Sequence, residues 1–251
     1  RANSLKVPTL PVPFAHMSQP RLSIIVPVYN EEATLREIVQ RVFDSCGDFA
    51  EVVFVNDGSH DSSLEILQEL ARDKDTVITK KNGGKGSAVR KGYDVAKGKY
   101  VVVQDADLEY DPEEIPGLLE YAEKNNLEAL WGSRRLKKQK QFIHLGHFLG
   151  GSSLTYICNI LYLSRLTDQP TCYKMVRGDI LKTLPLKEND FRFDPELTVM
   201  LLRRGFTIGE QPISYHPRSM DEGKKINWTD WFKWVWVFVT LRFRPKSYFT
   251  R

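Results

Sequence analysis

The stretch VVVQDADLEYD, residues 101–111, runs from an apolar segment suited to a sheet interior straight into four acidic side chains, Asp105, Asp107, Glu109 and Asp111. If its first half is a buried strand, the carboxylates stand at the tip of a sheet. Apolar runs of the same kind recur nearby, each followed by a helical pattern. LSIIVPV precedes EEATLREIVQRVFDSC, EVVFVN precedes SSLEILQELARD, TVITKK precedes GSAVRKGYDVAKG, and KYVVVQ precedes PEEIPGLLEYAEKN. Parallel neighbours need crossover connections, so this order predicts an α/β fold with a mostly parallel sheet flanked by helices. Ligands of such sheets gather beyond the carboxyl ends of the strands. The loops to read are therefore YNEE, NDGSHDS, NGGKGS and DADLEYD, all expected on one edge.

The second half of the chain is less regular. FIHLGHFLGGSSLTYICNILYLSRL predicts one or two amphipathic helices, DPELTVMLLRRG a helix and PISYHP a strand. INWTDWFKWVWVFVTLRFRP reads as an aromatic helix, so 227–251 is expected to form a C-terminal amphipathic element after a single domain over 17–226. Residues 1–16 have no periodicity and stop just before Met17; they read as a segment foreign to the native chain and carry no fold information.

Composition narrows the function classes. With 41% hydrophobic and 27% charged residues the chain is globular, and a net charge of +4 over 251 residues is too mild for a nucleic-acid binder. Cys46, Cys158 and Cys172 are far apart with no CxxC pair, which argues against a disulfide framework or a zinc knuckle and suits a reducing cytosol. No secretory leader opens the sequence and no run of about 18 apolar residues interrupts it, so neither export nor a membrane span is expected.

Asp105 and Asp107 are two residues apart, so in extended geometry both would face one side, with Glu109 continuing the row. Like charges placed that way repel unless a hard divalent cation, Mg2+ or Mn2+, sits among their oxygens and also carries a diphosphate. The bland alternative is a solvated acidic turn capping a helix that begins near Pro112. In NGGKGSAVRKG, Gly83, Gly84 and Gly86 free the backbone to approach a phosphate-bearing ligand, with Lys85 and Arg90 supplying positive charge; the same glycines also suit a plain helix-entry turn. Gly86 separates Lys85 from Ser87, so this is not a P-loop. Asp57 ends another strand, where a carboxylate can accept from a base or sugar, and Tyr29 offers stacking with Glu31 beside it. Each has a local alternative: Asp57-Gly58 as a turn pair, Glu31 as a helix start, Pro27 as a strand end.

Taken in order, these motifs resemble the family 2 glycosyltransferases of the GT-A fold over about residues 21–244. GKGSAVRKG, VVVQDADLEYDPEEIP, WGSRR, LTDQPTCYKMVR, FRFDPEL and YHPRSMDEGKKINW resemble in particular the polyprenyl-phosphate sugar transferases, the dolichol-phosphate mannose synthase group. The resemblance implies that Pro27, Tyr29, Glu31 and Asp57 hold the nucleotide with Lys85 near it, and that Asp105, Asp107 and Glu109 bind the metal and the donor diphosphate. It implies that Arg134 meets the acceptor phosphate and that Arg218 and Lys225 belong to a late segment closing over the diphosphates. The implied reaction inverts a hexose from a GDP-mannose or UDP-glucose type donor onto a dolichyl or undecaprenyl phosphate. A family 2 enzyme with a glycan or other hydroxyl acceptor is the alternative.

An anionic acceptor needs no strongly tuned general base. Relatives with a carboxylate before the aromatic-basic pair differ from this chain, which has Cys172 before Tyr173-Lys174; Asp168, Asp194 and Glu196 are candidates for orienting acceptor or sugar. A lipid acceptor implies a peripheral position on the cytoplasmic side of a membrane. RRLKKQK, with Arg134, Arg135, Lys137, Lys138 and Lys140, and the Trp-rich final helix could meet headgroups; that helix could equally pack on the domain or on a second copy in a homodimer. Phosphohydrolase chemistry on DADLE expects an amino-terminal DxDx[T/V] element, and here Glu109 stands in place of Thr or Val. A silent nucleotide-binding module would bind donor without turnover.

Overall fold

A computed structural model describes residues 19–136, 145–217 and 228–249. The segment 1–16, Lys137, Lys138, Lys140, Arg218 and Lys225 lie outside the described residues.

Among the described residues seven strands form one sheet. They are β1 (Leu22–Val28), β2 (Ala50–Asn56), β3 (Thr76–Thr79), β4 (Tyr100–Val103), β5 (Ala129–Ser133), β6 (Lys174–Arg177) and β7 (Ile208–Pro212), ordered β3-β2-β1-β4-β6-β5-β7. Pairings β1–β2, β1–β4, β2–β3 and β5–β7 are parallel; β6 runs antiparallel to β4 and β5. The fold class expected from the βα order holds, with one reversed strand that the sequence pattern does not announce. Reversal has a consequence for the site: the start of β6 shares an edge with the carboxyl ends of the other six strands.

Helices α1 (Glu32–Cys46), α2 (Ser63–Leu70), α3 (Lys85–Val95) and α4 (Ile115–Lys124) alternate with the first five strands. In α1 the buried positions are Leu35, Ile38, Val39, Val42 and Cys46, the i, i+3, i+4 spacing of a helix covering a sheet. β1 and β2 are buried along nearly their whole length, as central parallel strands must be. After α5 (Leu145–Tyr162) come β6, a single turn α6 (Gly178–Leu181), α7 (Phe193–Arg203), β7 and α8 (Trp228–Arg242). The strand expected at PISYHP lies earlier, at Ile208–Pro212, because β7 pairs in register with Ala129–Ser133 and that partner ends at Ser133.

The aromatic helix α8 packs on α5 and α7. Trp234, Val237, Phe238 and Leu241 are buried, and the Tyr162 hydroxyl donates to the Phe238 carbonyl at 2.6 Å. Its other side is open: Phe232 and Trp236 are exposed, as are Phe243 just beyond its end and Leu149, Tyr156 and Ile160 of α5. Among the described residues no helix is long and apolar enough to cross a membrane.

Candidate active site

The acidic stretch begins where the sheet releases the chain. β4 ends with Val103 opposite Ile25, while β1 continues to Val28. The Gln104 N–H still donates to the Ile25 carbonyl at 2.9 Å, and then the backbone turns away. Residues 106–110 are turns and bends and Leu108 is left-handed with φ 61°, so the extended row Asp105, Asp107, Glu109 does not form. Each carboxylate instead meets its own partner. Lys85 Nζ is 2.7 and 2.8 Å from the two Asp105 oxygens; Asp107 Oδ1 accepts from the Glu109 N–H at 3.2 Å. Glu109 Oε2 accepts from the Tyr215 hydroxyl at 2.9 Å. Asp111 Oδ1 accepts from the Glu113 N–H at 3.1 Å and caps the short turn that enters α4, so for this residue the capping alternative holds.

Lys85, the first residue of α3, is the local counter-ion. Burial works against its charge, yet Asp105 first, with Cys172 and then Asp107 adding to it, outweighs burial and raises it above the ordinary lysine value. One ammonium thus senses both aspartates. Among the described residues no three His, Cys, Asp or Glu side chains gather closely enough to hold a metal, and Glu109 is turned to Tyr215. An all-protein cage of three carboxylates does not fit this geometry. What the donor set matches is the commoner Mg2+ pattern of one or two carboxylates plus substrate phosphates.

In the loops after β1 and β2 the side chains make local contacts that the sequence does not announce. Pro27 and Tyr29 are half-buried at the end of β1, and Glu31 precedes α1 without capping it. The loops after β1 and β2 are laced together: Asn30 Oδ1 accepts from the His60 N–H, Asp61 Oδ2 from the Glu32 N–H, and Glu32 Oε2 from the Ser62 N–H. Thr34 Oγ1 donates to the Ala106 carbonyl at 2.6 Å, joining this pair to the acidic loop. Asp57 is buried and its oxygens accept from the Gly83 and Gly84 N–H groups at 3.0 and 2.8 Å, with Lys80 Nζ also on Oδ1. Its carboxylate therefore ties down the glycine turn.

At two of its glycines that turn faces another segment of the protein. At Gly84, φ is +92° and an added Cβ would lie 2.7 Å from the Asn189 carbonyl oxygen; at Gly86 it would lie 2.6 Å from that of Glu188. The Ser87 N–H donates to Asn189 O, and Arg90 reaches Leu186 O and the Asn189 side chain. The glycines admit the 186–190 segment of the protein itself, and Arg90 anchors it. Gly84→Ala, combining steric overlap with a left-handed backbone, is expected to cost about 2 kcal/mol. That would appear as a fall of roughly 6 °C in melting temperature.

Arg134 follows β5 directly. Its Nε and Nη2 donate to the two oxygens of Asp168 at 2.7 and 2.8 Å, its own N–H donates to Oδ2 at 2.9 Å, and Nη2 reaches the Pro170 carbonyl at 3.1 Å. Tyr215 lies under the guanidinium, 4.9 Å from ring centre to Cζ. Burial pushes the Asp168 carboxyl up, but Arg134 and then Arg135 hold it below its ordinary value. Arg135 has its Nε 3.6 Å from Asp168 Oδ1 and donates from Nη1 to Ser152 Oγ of α5 at 2.5 Å. Asp194 pairs with buried Lys174, and Glu196 accepts from the Lys187 and Glu188 N–H groups. All three carboxylates considered as orienting groups are thus committed to the protein.

Four residues of this rim escape sequence reasoning: Gln104, Tyr110, Tyr173 and Tyr215. A polar residue closing the apolar run VVVQ was the available signal.

The model of glycosyl transferase family 2 matches residues 23–184. The chain belongs to that family, with the GT-A fold. An undecaprenyl-phosphate 4-deoxy-4-formamido-L-arabinose transferase of Aeromonas hydrophila is 40% identical over 210 residues, 81% of this chain and 62% of the relative. A dodecaprenyl-phosphate galacturonate synthase of Rhizobium johnstonii is 26% identical over 205 residues, 79% of this chain and 60% of the relative. The chain therefore spans about three fifths of these relatives. In three dimensions it resembles glucosyl-3-phosphoglycerate synthase of Mycobacterium tuberculosis, solved with Mn2+, uridine diphosphate and glucosyl-3-phosphoglycerate, with a TM-score of 0.68 at 16% identity over 90% of this chain and 81% of the other. Another structure of that enzyme holds Mg2+ and uridine diphosphate.

Proposed function

We propose that the chain transfers a sugar from a nucleotide-sugar donor to a polyprenyl phosphate, with inversion at the anomeric carbon. The observation that favours a phosphate acceptor over a hydroxyl is the engagement of Asp168, Asp194 and Glu196 in ion pairs or backbone hydrogen bonds. A hydroxyl nucleophile needs a base to take its proton; a phosphate is already anionic near neutral pH. The names of the two relatives agree with this choice of acceptor.

In this reading Pro27, Tyr29 and Glu31 line the nucleotide side, and Asp57 serves by fixing the glycine turn that presents Lys85. Asp105 and Asp107 hold Mg2+ or Mn2+, which when bound neutralises charge on the departing diphosphate. Lys85 supplies a further positive charge beside it. Arg134, oriented by Asp168, and Arg135 face the acceptor phosphate, whose oxygen forms the new bond to C1 as the C1–O bond to the donor diphosphate breaks. Arg218 and Lys225 are assigned to closure over the diphosphates. Catalysis then rests on positioning and electrostatics.

A lipid acceptor calls for a peripheral position on the cytoplasmic side of a membrane. The open apolar sides of α5 and α8 support it, because Arg135 joins the rim to α5 through Ser152 and Trp231 joins α8 to α5 through Ser153. A lipid lying on that face would bring its phosphate to the arginines.

A hexose donor of the GDP-mannose or UDP-glucose type is the narrower reading. The relatives' names carry a formamido pentose and a uronic acid, so the sugar has to be determined directly. The test is a panel of nucleotide sugars spanning all of these, with Mn2+ or Mg2+ and a short polyprenyl phosphate. Chloroform-soluble label is expected from at least one donor. Label entering soluble glycans and never the lipid phosphate would overturn the choice of acceptor.

A further inference from the structure

Behind the acidic loop lies a buried polar knot that the chemistry above does not use. Gln104 is 0% exposed. Its amide Nε2 donates to the carbonyl of Asp105 at 2.9 Å and, more weakly, to that of Tyr110 at 3.4 Å. Its Oε1 accepts from the Tyr173 hydroxyl at 2.5 Å. One side chain therefore grips both ends of the 105–110 loop and pins them to the residue that enters β6. Tyr110 extends the knot: its hydroxyl accepts from the Cys172 N–H at 3.1 Å, and its ring stands 5.0 Å from that of Tyr173 and 5.2 Å from that of Tyr215.

The loop needs holding. Leu108 is left-handed at φ 61°, a conformation that is sterically costly for a non-glycine residue. Both aspartates lie between the two gripped carbonyls, or at one of them, so the amide fixes the ends of the segment that carries them. A buried amide with donor and acceptor both used has one orientation, and its loss leaves two carbonyls and a phenol without their partner.

We propose that Gln104 is a positioning residue for the Asp105–Asp107 pair, an amide staple that presets the loop for a divalent cation carrying a nucleoside diphosphate. The inference rests on the transferase reading for what the loop binds, but not for whether the staple holds it.

Two measurements keep these apart. The first is amide hydrogen exchange over residues 104–111 in the protein without metal, for the parent, Gln104→Leu, Gln104→Asn and Tyr173→Phe. Exchange in this loop is expected to rise in all three variants, most in Gln104→Leu, while peptides from β2 keep the parent rate. Asn retains the amide but is one methylene too short to span both carbonyls, which serves the test should the Leu variant fail to fold. The second is Mn2+ binding with uridine diphosphate by calorimetry or electron paramagnetic resonance, together with kinetics. Loss of a group that orients metal ligands typically weakens affinity by about 10- to 100-fold, and that range is expected for Gln104→Asn, with a raised metal requirement and donor KM and a smaller change in kcat. Unchanged loop exchange, or unchanged Mn2+ affinity in a parent that binds it, overturns the staple. A parent that binds no Mn2+ with nucleotide overturns the metal-dependent reading, and the exchange data then decide the staple alone.

Discussion

Replacing Asp107 by Ala is expected to lower kcat/KM by roughly three orders of magnitude, the scale of removing one preorganised group that answers charge developing in a transition state. The aspartate stands half-buried in the loop beyond β4, with Oδ1 accepting from the Glu109 N–H and its charge reaching Lys85. Lys85 keeps its ion pair with Asp105 in the variant, but with one of the two carboxylates gone the pair can no longer share a divalent ion. Metal-dependent donor binding should disappear with the activity. Folding should not: no core side chain is touched, and a change of this kind usually moves stability by less than about 1 kcal/mol. The checks are turnover against Mn2+ concentration and a melting curve. An Asp107→Ala enzyme retaining activity within tenfold of the parent would contradict the family mechanism for this chain.

The sequence carries the frame of this site better than its wiring. Four βα units are legible because the apolar runs are short, bounded by turn residues and separated by helices with clear i, i+3, i+4 spacing, as in Leu35 to Cys46. Parallel order then puts Tyr29, Asp57, Lys85 and Asp105 on one edge without any knowledge of contacts. β6 is not legible, since KMVR is four residues long and its pairing between β4 and β5 is decided by tertiary structure. Two readings change for the same reason. Alternation along 105–109 assumes a strand, and a phosphate cradle at Gly84 and Gly86 assumes a solvent-facing turn. Both assumptions depend on what lies across from the segment: β1 pairs with nothing past Val103 on that side, and the 186–190 segment fills the space beside the glycines. α8 was ambiguous for a related reason. With apolar residues on its buried and its open sides, its pattern could not say which side meets the protein.

The largest loss of stability is expected from Asp168→Asn. The carboxylate is 0% exposed, grips the Arg134 fork with both oxygens and lies within 3.6 Å of Arg135. Breaking a buried pair by removing one partner typically costs about 3–5 kcal/mol, because the other charge stays buried and uncompensated. Here two guanidinium groups would face each other across a neutral amide. For a chain of this size the melting temperature should fall by roughly 10 °C. The pair also fixes a pH signature. Asp168 is held below its ordinary value, so its contribution is fully present above the carboxylate range of the unfolded chain and is lost as pH falls through the lower folded value. The parent should therefore lose stability on acidification below about pH 4, and the variant should lack that part of the slope. Melting curves from neutral to acid pH measure both effects at once. A variant that melts within 2 °C of the parent, with the same acid slope, would mean that Arg134 is not held by Asp168 in solution, and the orientation assigned to it at the acceptor phosphate would have no support.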